Sequence, residues 1–389
     1  SSTTCMYYGV EDALHQRYVR DINVECYFGG DVSRMSDENL NALRTALTGA
    51  AAEMGSSFDN EQTYRAAYVY GILTPEGVLR PALAETDGVV ESTRVTLLPL
   101  SDYNAVMGAD LTLAADEALV YGNRMTFTAE KFTVGGMAWR VRGQLDSCPV
   151  NGAAAADVTP SLFVVVPDFD SAANIMLDTM SGGAMDVQLR WYCSFDSDLP
   201  AEEQFGGGSY EEGVRDPQSL TDAVQWALYD AAAGGDIVTG WEVDSLAANR
   251  SDFYGSYGGL FFLGIMLSVV FLLAAVSIIY YKQICEGYED QSRFDIMQKV
   301  GMTKRDIRRS INSQLLTVFF LPMALAGVHL CFAFPFIHKL LLLFNLSNTP
   351  LLIGTTVVSY VAFALLYTLA YKLTSNAYYH IVSGAVERE

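Results

Sequence analysis

Three long stretches of the chain, residues 253–281, 310–338 and 340–371, contain no Asp, Glu, Lys or Arg. Each exceeds the roughly 20 residues that a helix needs to cross the hydrocarbon core of a bilayer. They predict spans at about 260–280, 315–337 and 351–371. Burying them in a globular core instead would need polar sequence to cover them, and the 132 residues from 258 to 389 hold too little. Upstream the pattern changes. DINVECYF (21–28) alternates with the period of a half-buried strand, and TYRAAYVYGIL (63–73), STRVTLLPL (92–100), KFTVGGMAWRVRGQL (131–145), SLFVVVPD (161–168) and MDVQLRWYCSF (185–195) are rich in branched and aromatic residues. SDENLNALRTALTGAAAEM (36–54), with Ser36 and Glu38 near its start, reads as a helix, as does DFDSAANIMLDTM (168–180). DPQSLTDAVQWALYDAAA (216–233) predicts a third helix, started by Asp216 with Pro217 at its first position. GGGS at 206–209 reads as a flexible loop. The expected fold class is an α+β domain followed by an all-α membrane domain of three helices.

Between the first two apolar runs lies RFDIMQKVGMTKRDI (293–307). Phe294, Met297 and Val300 recur every three residues and so share one helical face. Gly301 falls where a helix ends in a left-handed turn. Thr303 with Asp306 three residues later forms a capping-box pattern, Asp replacing the usual Glu. The stretch predicts helix, tight turn, helix.

Charge then orients these parts. Residues 1–257 hold 14 Lys and Arg against 38 Asp and Glu, a balance of −24, whereas residues 258–389 hold 10 against 7, a balance of +3. Segment 282–309 carries seven basic residues (Lys282, Arg293, Lys299, Lys304, Arg305, Arg308, Arg309) and segment 338–350 only Lys339. Positive loops stay in the cytoplasm. The expected order is therefore an extracellular domain (1–250), a stalk and first span (251–281), a cytoplasmic loop (282–310), a second span (311–337), an external loop (338–350), a third span (351–371) and a cytoplasmic tail (372–389). Tyr254, Tyr257, Tyr280 and Tyr281 bracket the first span as an aromatic belt does. An exported domain of this size needs an export signal. None follows Ser1, so a preceding membrane helix is expected. Of the six cysteines, Cys5, Cys26, Cys148 and Cys193 belong to the outer part, where either a disulfide or four small buried side chains is expected.

The outer domain offers little chemistry. Only His15 of the four histidines lies in it, so a histidine-based metal site is not expected. No phosphate loop and no G-x-S-x-G elbow is present. Glu202–Glu203, Glu211–Glu212 and Asp168/Asp170 lack EF-hand spacing and read as a solvated acidic face. No catalytic residue, cofactor, metal ligand or nucleic-acid partner is assigned. Within the spans His329 is the lone ionisable group of its kind, expected to be packed or hydrogen-bonded, and Pro322 and Pro335 are expected to kink the second span.

KQICEGYEDQSRFDIMQKVGMTKRDIRR (282–309) resembles the loop of FtsX-like ABC transporter permeases, the group that includes MacB-type exporters. That family's pattern, hydrophobic-x-x-x-hydrophobic-G-[AM]-[ST]-x-x-x-I, is met by Ile296, Val300, Gly301, Met302, Thr303 and Ile307. STTCMYYGVEDAL (2–14) and LSDYNAVMGADLTLAADEALVY (100–121) are similar to permeases of the bacitracin-resistance type. The resemblance implies a four-helix unit whose first helix precedes Ser1. It implies a non-catalytic subunit, working with a separate cytoplasmic ABC ATPase and the lipid bilayer in export of, or resistance to, peptide or lipid-like compounds. It makes Phe294, Ile296, Met297, Val300, Gly301, Thr303, Lys304 and Arg305 the ATPase-coupling residues. Packing of the apolar face on the chain's own membrane helices is the competing expectation, as is lipid contact for the basic cluster. A non-exporting sensor working with a histidine kinase or a cell-wall hydrolase is the alternative function.

Overall fold

The strand-like runs of the N-terminal part pair into one sheet. In the computed structural model, which describes residues 5, 9, 11, 14–15, 18–82, 92–148, 159–181, 186–205, 217–235, 237–301, 303–342 and 348–383, the chain divides into two units. One is Leu14–Asp252; the other joins Ser1–Ala13 to Phe253–Glu389.

The first unit contains β1 (Ile22–Tyr27), α1 (Asp37–Glu53), β2 (Asp59–Leu73), β3 (Leu79–Arg80), β4 (Thr93–Pro99) and α2 (Leu100–Met107). It continues through β5 (Glu117–Asn123), β6 (Lys131–Val134), β7 (Met137–Gln144), β8 (Ser161–Val166), α3 (Phe169–Met180), β9 (Gln188–Asp196), α4 (Leu220–Gly235) and β10 (Gly240–Ser245). Strand order is β10-β1-β9-β2-β4-β8-β5-β7-β6, with β3 beside β2. The pairs β4–β8 and β5–β7 are parallel and the others antiparallel. All six residues of β8 are buried, as a central strand covered on both faces requires.

One face of the sheet, with Val24, Cys26, Val69, Leu97, Val164 and Trp191, packs on Leu43 and Leu47 of α1, Met176 of α3 and Val224 of α4. The other gathers Tyr64, Tyr192, Leu98, Phe163 and Val165 around Tyr103 of α2. Caps fix the helix starts: Ser36 accepts from the Asn39 amide at 3.4 Å and Asp168 from the Ser171 amide at 3.1 Å.

Several expectations need correction. KFTVGGMAWRVRGQL, β-like by sequence, forms two strands, the β6–β7 hairpin, turned at Gly135 (φ 58°) and Gly136 (φ 81°), both left-handed as a two-residue hairpin turn demands. α4 begins at Leu220, three residues beyond Pro217, because the Ser219 hydroxyl accepts from the Asp222 amide at 3.3 Å; Asp216 lies outside the described residues. The same is true of 206–209 and of Glu211 and Glu212. All six cysteines are free. Cys26 and Cys193 line one face of adjacent strands, but Cys193 pairs with Val24, so the two are diagonal neighbours. That spacing, about 7–8 Å, exceeds a disulfide's reach. Cys5 is buried in the second unit, against Leu341 and Leu352, rather than in the outer domain.

The second unit contains α5 (Leu246–Lys299) from Phe253 onward, α6 (Lys304–Leu342) and α7 (Thr349–Ser383). Among the described residues these three helices are long and apolar enough to cross a membrane. Phe319 of α6 packs on Tyr367 and Tyr371 of α7, with ring centroids 5.5 and 5.7 Å apart. The Tyr360 hydroxyl donates to the Met323 carbonyl at 3.0 Å. Outward lie Phe262, Phe271, Phe332 and Leu365, all exposed, a distribution suited to lipid rather than water. His329 is exposed among them, not packed. Pro322 and Pro335 both sit inside α6.

Candidate functional site

The polar stretch between the first two spans is built from the end of α5, a turn and the start of α6. The Val300 amide closes the last helical turn on the Ile296 carbonyl at 3.1 Å. Gly301 follows with φ 108°, a conformation that a side chain resists. Thr303 and Asp306 then cap each other. The Thr303 hydroxyl accepts from the Asp306 amide at 3.3 Å, and the Asp306 carboxylate accepts from the Thr303 amide at 3.3 Å and from its hydroxyl. Two orphan amides at the start of α6 are thereby satisfied.

Ile296, Met297 and Val300 are 63%, 42% and 84% exposed. The chain's own helices do not cover them. Arg305 is exposed beside the turn, and the side chains of Phe294 and Lys304 lie outside the described residues. Single exposed apolar residues need no explanation, but these lie together in a loop otherwise rich in charge.

The base of the loop was not singled out by its sequence. On α5, Gln283, Gly287, Asp290 and Gln291 follow helical spacing, and the last three meet α7. Tyr378, 1% exposed, lies over Gly287, where an added Cβ would be 3.2 Å from its ring. Its hydroxyl donates to Asp290 Oδ2 at 2.9 Å, while Arg293 Nη1 approaches Asp290 Oδ1 at 3.2 Å. Gln291 Nε2 donates to the Ile381 carbonyl at 3.3 Å, and the Ser375 hydroxyl to Asn312 Oδ1 of α6 at 2.9 Å. A glycine within a run of polar residues at i, i+4, i+7 and i+8 was the available signal.

In the mixed α/β unit a cavity of about 420 Å³ is lined by Tyr27, Gly29, Leu177, Asp186, Gln188 and Arg190, among others. The Arg190 guanidinium lies on the Tyr27 ring, 3.7 Å from its centroid, and its Nε donates to Glu25 Oε1 at 2.9 Å. Burial pushes the Glu25 carboxyl above its usual range, and the Arg190 charge opposes that shift. Arg190 is thus committed to its neighbours. Among the described residues no three His, Cys, Asp or Glu side chains gather as a metal site would need.

Residues 265–382 match the FtsX-like permease C-terminal domain family. Over 111 residues the chain is 29% identical to the ABC transporter permease protein YxdM of Bacillus subtilis (strain 168). That alignment covers 28% of this chain and 17% of YxdM.

Proposed function

The membrane part being an FtsX-like permease domain, we propose that the chain acts as the transmembrane subunit of an ABC transporter whose ATPase is a separate cytoplasmic protein. The exposed apolar group of Ile296, Met297 and Val300 carries this reading. A helix end presenting apolar side chains from a charged loop suits a groove on a partner. Seven basic residues in 282–309 favour the cytoplasmic side for it, and residues 1–250 then lie outside. Closure of the ATPase on ATP pushes the loop, and α5, continuous from Leu246 to Lys299, passes the movement to the outer domain. No Asp, Glu, Lys or Arg interrupts the spans, which fits a transmitter of movement better than a polar channel. Peptide or lipid-like compounds are the substrate class that this arrangement serves. A sensor working with a histidine kinase or a hydrolase would use the same parts, and substrate transport into vesicles separates the two.

Met297→Asp tests the docking surface. A buried Met is worth about 1.5–3 kcal/mol, and an unpaired carboxylate in its place costs more. A loss of about 2.8 kcal/mol is a hundredfold in affinity. Capture of an ABC ATPase co-expressed from the neighbouring gene should fall by at least that much, at unchanged membrane abundance. Normal capture would sink the docking assignment.

A further inference from the structure

We propose that the end of α7, residues 372–383, is a latch that sets the position of the coupling loop, with Tyr378 on Asp290 as its catch. The proposal rests on the coupling reading above and adds a control to it. The extension touches both arms of the loop. It meets α5 at Gly287, Asp290 and Gln291 and α6 at Asn312. An element bound to both arms fixes the angle between them, whereas neither arm alone does so.

The chemistry at the catch is reversible. Asp290, with its side chain 17% exposed, divides its carboxylate between Tyr378 and Arg293. Arg293 stands three residues before Ile296, the first exposed apolar side chain of the docking group. Releasing Tyr378 therefore frees the Asp290 carboxylate, six residues before Ile296, without altering the docking face. The ring is seated by shape as well as by its hydroxyl. Gly287 leaves room for it, and a larger residue there would force it out. Gln291 holds the Ile381 carbonyl in the last turn of α7, a group that the helix itself cannot satisfy. Tyr378 and Asp290 act here through the loop, as positioning residues, and touch neither the substrate nor the ATPase groove.

The test uses the full chain in lipid bilayers with its ATPase, on a background in which exposed Cys285 and Cys331 are replaced by Ser. Spin labels at Glu289 and Asn376, both exposed, report the separation of the α5 and α7 extensions. Tyr378→Phe keeps the ring and removes the hydroxyl; Gly287→Leu keeps the hydroxyl and displaces the ring. Loss of one hydrogen bond to a charged group shifts an open–closed equilibrium by about tenfold. Both variants should broaden the label distance toward longer values and lower transport-coupled ATP turnover several-fold. ATPase affinity should stay within about twofold. Asp290→Asn added to Tyr378→Phe should lower turnover no further. An unchanged distance in both variants overturns the latch, as does a broadened distance with unchanged turnover. Met297→Asp in the same membranes judges the docking reading separately: normal ATPase affinity there sinks that reading, while the distances still decide whether the extension holds the loop's base.

Discussion

Asp102 at the start of α2 receives three hydrogen bonds from Arg65 of β2: the backbone amide at 2.8 Å, Nε at 3.1 Å and Nη2 at 3.0 Å. The two side chains are only 15% and 18% exposed, so water screens the pair weakly. It fastens α2 to the sheet face that α2 covers. Leu14–Asp252, expressed alone, should unfold in one cooperative urea transition, because its core lies within its own strands and helices. Asp102→Asn should lower its stability by about 1.5–3 kcal/mol. A molten, dye-binding product from the parent unit would contradict the first statement, and an unmoved midpoint in the variant the second.

The Glu25 carboxyl predicts a pH dependence in the same unit. Burial raises its pKa above the ordinary 4.5, so between the unfolded and folded values the native state binds more protons. Stability from this group is fully present below the unfolded pKa and is lost as pH rises through the folded one. Glu25→Gln should remove that downward component from urea midpoints measured upward from about pH 4.5. Parallel profiles for the two proteins would show that Glu25 titrates alike in both states.

Topology is open to labelling. Cys285 is exposed in the polar extension of α5, and Ser101→Cys would place a thiol on an exposed position of the α/β unit. In intact cells an impermeant maleimide should modify position 101 and spare Cys285 until lysis. The reverse order would invert the assignment drawn from the basic residues.

The turn between α5 and α6 separates conformation from space. Nothing lies within 4 Å of where a Gly301 Cβ would sit, yet φ is 108°. Gly301→Val is therefore opposed by backbone alone, at about 1–3 kcal/mol, and should weaken ATPase capture by roughly tenfold while the chain still inserts. Asp306→Ala removes the cap and should cost about 0.5–2 kcal/mol at the start of α6. Equal capture by wild type and Gly301→Val would show that the turn is free to rearrange.

What the sequence disclosed, and what it hid, follows from the range of the interactions. Charge-free runs, the Ser36 helix start and the Thr303–Asp306 pair act over a few residues and were readable there, whereas Asp168, read as part of an acidic face, caps α3. α2 was not seen, although Asp102 in its first turn and Gly108 after its end, left-handed at φ 62°, are both local signals. The β-rich run before it masked them. β5 and β10 were missed for want of a clear alternation. Sheet order was beyond reach, since β1 finds its partners β9 and β10 more than 150 residues away. The residues proposed for docking were legible as an apolar period in a basic loop. Tyr378 was not, because its meaning depends on Asp290, 88 positions earlier.

α5 has 29 residues between Asp252 and Lys282 without a charge, and α6 has 29 between Arg309 and Lys339. At 1.5 Å per residue each apolar cylinder is about 43 Å long, against a hydrocarbon core of about 30 Å. α7 offers 23 from Thr349 to Tyr371, about 35 Å. The two helices that flank the loop therefore exceed the core by about 13 Å each, more than two helical turns, whereas α7 exceeds it by about 5 Å. A helix with that surplus meets the mismatch by tilting before any of its charges reaches lipid, and α7, with the smallest surplus, has the least latitude.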